Sequence, residues 1–162
     1  MKAITIIQPW ASLIAQGDKR FETRGWRTHY RGWLAIHAGK KRDKQACLRE
    51  PFRSLLQAYG EGGGKLPSGA VVAVCRLTEC YRVKKAPDEL NGLTVLDSGR
   101  HRLVWEEEEP QLLFGDYAEE RYAWQLSDIQ PLSSPIPASG KQGLWEWEEP
   151  DIIERLGIGR QQ

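Results

Sequence analysis

Glycine and proline cut this chain into short pieces. Sixteen Gly and nine Pro are spread over 162 residues, and both residues interrupt regular structure. The apolar runs left between them, such as Ala3–Ile7, Trp33–His37 and Val71–Cys75, have the length of strands. None approaches the roughly 18 apolar residues of a membrane-spanning helix. Many short strands with Gly/Pro turns and few helical stripes predict an α+β fold, a small barrel of about six strands, rather than a parallel sheet. At 162 residues a single domain over 1–162 is expected.

The first strand, Ala3–Ile7, leads to Pro9, which suits a first helical turn. Trp10, Leu13 and Ile14 recur at i, i+3 and i+4, so Pro9–Gln16 reads as a helix ended by Gly17. Lys19–Arg24 leaves extended, and Gly25–Arg31 reads as a basic loop. After the strand Trp33–His37, Lys40–Arg42 reads as a solvated helix entry with Asp43 as its cap. Leu48, Phe52, Leu55, Leu56 and Tyr59 form a helical stripe that Pro51 kinks or splits. Gly69–Val83 is the longest strand candidate. Lys84–Arg102 shows no clean period, and Glu106–Glu109 reads as a turn. Tyr122–Ile129 is a strand, Pro131–Pro137 a connection, Leu144–Trp147 a last strand and Pro150–Leu156 a terminal helix. The helices after the first are expected at the periphery.

Three cysteines, an odd number, with no Cys-x-x-Cys and no paired Cys/His spacing argue against a disulfide framework and a structural zinc site. No metal and no cofactor is expected. The N-terminus reaches Gln8-Pro9 too soon for a signal-peptide core, so a cytoplasmic location is expected, with no membrane partner. The oligomeric state is not legible. Net charge is +1, yet residues 1–50 carry +7, residues 51–85 carry +4 and residues 86–162 carry −10. That segregation permits a positive face able to steer a polyanion.

The informative stretch runs from Gln8-Pro9-Trp10 to Arg24. Gly17 places Lys19 in the turn leaving the helix. On an extended segment Glu22 and Arg24 share one face, and Phe21 and Thr23 the other. If Phe21 is core, Glu22 and Arg24 point away together, within reach of Lys19. The plain alternative is an edge ion pair. Gln8 and Pro9 open a helix whose free N–H groups suit an anion. His37 ends a strand and precedes Ala38-Gly39-Lys40, and it reads either as a cleft residue or as a hydrogen-bonded structural one, while Lys40, Lys41 and Arg42 suit phosphate contacts. In the loop, Trp26 and Tyr30 lie among Arg24, Arg27 and Arg31. Cations for phosphates interleaved with π-faces for bases are what single-stranded nucleic acid requires. Trp33 and Trp124 read as core.

The spacing Gly17-x-Lys19-x-x-Glu22-x-Arg24 after a short helix resembles the ASCH (activating-signal-cointegrator homology) family. Tyr30-Arg31-Gly32, Ile36-His37-Ala38, Gly69–Val72, Gly115-Asp116-Tyr117, Arg121–Trp124 and Gly143-Leu144-Trp145 extend the resemblance over nearly the whole chain. It implies a PUA-like β-barrel and a cleft for RNA or a nucleobase. Ligand-binding residues are then Gln8, Pro9, Trp10, Lys19, Glu22, Arg24, Trp26, Tyr30, Arg31, His37 and Lys40, with the Pro9 helix closing one side.

Three functions follow from the resemblance. The first is a module that binds RNA, single-stranded nucleic acid or a nucleoside. The second is a small hydrolase. Some family members are amidohydrolases of N4-acetylcytidine with a Thr-Lys-Glu set, and ribonuclease activity is ascribed to others. Lys19 and Glu22 are the catalytic candidates in that case. Lys19 fills the lysine of that set, but Glu22 stands where the threonine belongs. Thr23 is one residue off, which flips the face of a strand. His29, His37 and Tyr30 are further acid–base candidates for a ribonuclease. The third is a protein-interaction module in transcription or translation. A binding role expects a protonated Lys19 of near-normal pKa, and the adjacent Glu22 favours it. Base catalysis requires a largely neutral lysine.

Overall fold

The computed structural model describes residues 1–85, 92–149 and 151–158. Its strands are β1 (Lys2–Gln8), β2 (Phe21–Arg24), β3 (Gly32–Arg42), β4 (Ala70–Lys85), β5 (Thr94–Asp97), β6 (Arg102–Trp105), β7 (Tyr122–Pro137) and β8 (Leu144–Glu146). The helices are α1 (Trp10–Ala15), α2 (Lys44–Leu48), α3 (Phe52–Leu55) and α4 (Ile152–Arg155). Hydrogen bonding joins the strands in the order β2-β7-β4-β3-β1-β8, with β5 on β4 and β6 on β5. The sheet is mixed, and the class is α+β.

The chain forms two compact units, one of Met1–Ala15, Trp33–Cys75 and Ile129–Gln162, the other of Gln16–Gly32 and Arg76–Asp128. In the first, β1 lies parallel to β3, Lys2 opposite Leu34 and Ile6 opposite Ala38, and antiparallel to β8 with Ala3 opposite Trp145. Ala3, Ala35, Val71, Val74, Trp145, Trp147 and Ile152 form its core cluster. Small Ala side chains on the paired strands leave room for the two indoles. Pro51 separates α2 from α3, and Asp43 Oδ1 caps α2 by accepting from Ala46 N at 3.0 Å.

In the second unit, β2 pairs antiparallel with β7, Glu22 opposite Trp124 and Arg24 opposite Tyr122. β4, β5 and β6 form an antiparallel ladder, with Arg82 opposite Asp97 and Asp97 opposite Arg102. Phe21, Tyr81, Val83, Leu96, Tyr117 and Ala123 form the core here. Phe21 meets Trp105 edge-on, with ring centroids 4.9 Å apart.

Several sequence expectations need correction. Among the described residues there are eight strands where about six are expected. Of the two extra strands, β5 falls within Lys84–Arg102 and β6 begins at its last residue. Each has only four residues; Thr94, Val95 and Leu96 of β5 are all buried, which leaves no alternation to read there, and β6 alternates over too short a run to stand out. Pro131–Pro137 is not a connection but the second half of β7. Its prolines occupy only odd positions (131, 135 and 137), so all three missing N–H groups fall on the same edge of the strand. Lys40–Arg42 end β3 rather than enter a helix. Trp33 is only partly buried, against the edge of the core, whereas Trp124 is fully buried. Leu48 leaves the expected apolar stripe and is exposed. The expected terminal helix is α4, and its proposed first residue, Pro150, lies outside the described residues.

Candidate functional site

Gly17, at φ 89°, ends the α1 turn in the left-handed region that favours glycine. The chain then turns through Asp18–Arg20 into β2. As the parity argument requires, Phe21 is core, and Glu22 and Arg24 share the opposite face. Arg24 Nε donates to Glu22 Oε1 at 2.9 Å, and Lys19 Nζ lies 3.3 Å from Glu22 Oε2. Lys19 is 1% exposed and Glu22 8%. One carboxylate therefore holds two cations in a largely desolvated place, where the cost of desolvation offsets much of their attraction.

A further partner comes from the segment after the acidic Glu106–Glu109 turn, to which the sequence assigns no element. Pro110–Phe114 forms a 3-10 turn, and Lys19 Nζ donates to Phe114 O at 2.5 Å. Gln111 anchors it against the Lys19 turn: Arg20 N donates to Gln111 Oε1 at 2.8 Å, and Gln111 Nε2 donates to Asp18 O at 2.8 Å. Nothing in the spacing foretold this, because the contact spans more than ninety residues. The one available signal was the Gly115-Asp116-Tyr117 block directly after it. Tyr117 is buried, and its hydroxyl has no hydrogen-bond partner among the described residues. Burial pushes its pKa up, and the charge of Glu22 adds to the effect.

Burial lowers the Lys19 pKa below the usual ammonium range. Glu22 pulls it back up by charge and hydrogen bond, and Arg24 lowers it further. The near-normal lysine expected from Glu22 alone is thus corrected, because desolvation outweighs the neighbouring carboxylate. Thr23 faces away from Glu22, and its Oγ1 accepts from Asp116 N at 3.0 Å.

Beside the ion-paired group stands an aromatic pair. Trp124, opposite Glu22 in the ladder, is fully buried, and its Nε1–H has no partner among the described residues. Trp26 meets it at 4.7 Å between ring centroids, nearly perpendicular, and remains 38% exposed. Arg31 is committed to Glu79, with Nη2 to Oε1 at 2.6 Å, so it braces the loop. Tyr30 is half-buried, its backbone N donating to Thr28 Oγ1 at 3.1 Å, and His29 is exposed.

The remaining candidates belong to the other unit. Gln8 locks the start of α1: Ser12 N donates to Gln8 Oε1 at 3.0 Å, while Gln8 Nε2 donates to Ser12 Oγ and to Pro67 O, each at 2.8 Å. With Ser12 N bonded to Gln8 Oε1, the helix start spends part of the donor set an anion needs. Trp10 packs edge-on against Phe52. His37 and Lys40 line a recess of about 770 Å³ together with Thr5, Ser139 and Gly140. His37 Nε2 faces Ala138 O at 2.8 Å and therefore carries the proton there. Its Nδ1 is buried without a partner among the described residues. No cluster of three or more His, Cys, Asp or Glu that would suit a metal occurs among the described residues. No helix there is long and apolar enough to cross a membrane.

The spaced motif is thus assembled in space as well as in sequence, and comparison with known proteins agrees with it. The ASCH domain matches residues 4–135. Activating signal cointegrator 1 from Homo sapiens and from Mus musculus are 33% and 35% identical to this chain over 94 residues. That alignment is 56% of this chain but only 16% of each of those longer proteins. The crystal structure of ASCH from Zymomonas mobilis shares the fold at a TM-score of 0.51 and 16% identity, covering 97% of this chain and 94% of that one. Matched over most of its length, with Lys19, Glu22 and Arg24 joined as the motif spacing requires, the chain belongs to the ASCH domain family.

Proposed function

We propose that this domain binds single-stranded RNA at the Lys19–Glu22–Arg24 group and its flanking loop. The observation that carries the reading is the exposed Trp26 standing on the cross-strand partner of Glu22, beside ion-paired cations. A π-face stacks any base, and the neighbouring cations attract the backbone. Glu22 fixes both cations, so the site is ordered before a ligand arrives. Titration of a fluorescent oligoribonucleotide at two ionic strengths tests the reading. Binding is expected to weaken steeply with salt, and binding that is absent or indifferent to salt defeats it.

One observation favours a second reading. The depressed pKa of Lys19 is what a general base needs, in line with an amidohydrolase of N4-acetylated cytidine. Against it, Thr23 points away from Glu22 with its hydroxyl accepting from Asp116 N. Incubation with N4-acetylcytidine, followed by absorbance, separates the two. Turnover that disappears in Lys19→Arg while ligand still binds establishes the enzyme.

A further inference from the structure

We propose that a recess lined by Arg27, Arg82 and Lys84 is a phosphate subsite, so that the ligand of this domain is a nucleotide or oligonucleotide rather than a nucleoside. The proposal rests on the RNA-binding reading only for the source of the phosphate; the recess has its own argument. Arg82 and Lys84 share a parity on β4 and project from the same face of the ladder. Arg27 reaches that recess from the Gly25–Arg31 loop, directly after Trp26. The recess measures about 290 Å³ and is flanked by Tyr122, the cross-strand partner of Arg24.

The charges do not cancel. Lys84 Nζ lies 3.0 Å from Asp97 Oδ2, and Arg82 pairs with Glu120. Arg102 lies opposite Asp97 on β6. Asp97 also accepts from Gly99 N at 2.8 Å, so its oxygens are spent inside the hairpin. Three cations, Arg27, Arg82 and Lys84, thus line the recess with the single carboxylate of Asp97. Glu120 is paired with Arg82, Glu79 behind Cys80 and Ser98 is paired with Arg31, and Arg27 has no ion-pair partner among the described residues. A surplus of positive charge in a small concavity, beside Tyr122 and one residue along the chain from Trp26, matches one phosphate of a nucleotide whose base stacks nearby. The guanidinium of Arg27 presents a fork of donors suited to phosphate oxygens.

The test compares uridine, uridine 5′-monophosphate, inorganic phosphate and a ten-nucleotide oligouridylate. It follows the amide NMR shifts of Cys80, Ser98 and Gly99 in the full chain. The monophosphate and the oligonucleotide are expected to move these amides, and uridine is not. Arg27→Gln, an exposed change, is expected to weaken the oligonucleotide about tenfold and to reduce the magnitude of its log–log salt slope by about one. Lys44→Gln, in the other unit, is expected to change neither. Uridine binding as tightly as its monophosphate, or Arg27→Gln binding like the unaltered chain, overturns the subsite. If Trp26→Ala abolishes oligonucleotide binding while Arg27→Gln does not, the RNA reading stands without it. If the oligonucleotide fails to bind but phosphate and the monophosphate still move the three amides, the subsite stands and the RNA reading falls. Polyglutamate competing as well as the oligonucleotide at equal charge overturns the subsite as well.

Discussion

Lys19 and Glu22 show how one residue sets the chemistry of another. Glu22 is the principal group holding the buried Lys19 ammonium. Removing one partner of a buried pair leaves the other charge uncompensated, so Glu22→Gln is expected to cost about 3–5 kcal/mol in a denaturant melt. It is also expected to lower the Lys19 pKa further, readable by NMR titration of the Lys19 side chain. The sign of the pH effect follows from the same burial. The folded Lys19 pKa lies below the unfolded 10.5, so between the two the unfolded chain binds more protons. Stability contributed at Lys19 therefore rises with pH across that interval. A Lys19→Met chain is expected to lose that part of the slope, and an unchanged slope refutes it. The indoles divide in the same way. Trp26→Ala is expected to weaken oligonucleotide binding by about 1–3 kcal/mol with the fold intact. Trp124→Ala, at a fully buried position, is expected to cost about 3–5 kcal/mol of stability. The reverse pattern in binding assays and thermal melts exchanges their roles.

Elements were legible in proportion to how local their causes are. α1 was readable because Pro9, the i/i+3/i+4 stripe and Gly17 all lie within nine residues. The sharing of a face by Glu22 and Arg24 was readable because a strand alternates with period two. The length of β7 was not, since prolines confined to one edge look locally like a loop. The Pro110–Phe114 turn was illegible as a site element, because Gln111 and Phe114 act through contacts remote in sequence. That turn is tested at Gly115, which is extended at φ −162°, so only space is at issue there. A Cβ at this position meets Thr23 Oγ1 at 2.9 Å and Tyr117 Cε2 at 3.1 Å. Gly115→Ala is expected to cost about 1–3 kcal/mol and to disturb the neighbouring Phe114 carbonyl that Lys19 uses, seen as a shifted Lys19 titration.

At the scale of the whole molecule, the sequence showed an uneven charge but not the division into two units. The crossings at Ala15/Gln16, Gly32/Trp33, Cys75/Arg76 and Asp128/Ile129 carry no shared sequence mark, and three of them fall inside continuous strands. Neither unit is a contiguous stretch of chain. A fragment ending at Asp128 keeps every segment of the Lys19 unit but lacks Trp145, Trp147 and Ile152 of the other core. The order in which residues leave the ribosome then has a consequence. The Lys19 unit has its full set of segments once Asp128 has been made, while the unit built on β1 waits for two tryptophans near the end. At about 5–20 residues per second that wait lasts on the order of seconds, during which Ala3, Ala35 and Val71 have no indoles to cover them. β1 is made before the other strands of this domain and is among the last of them to be buried.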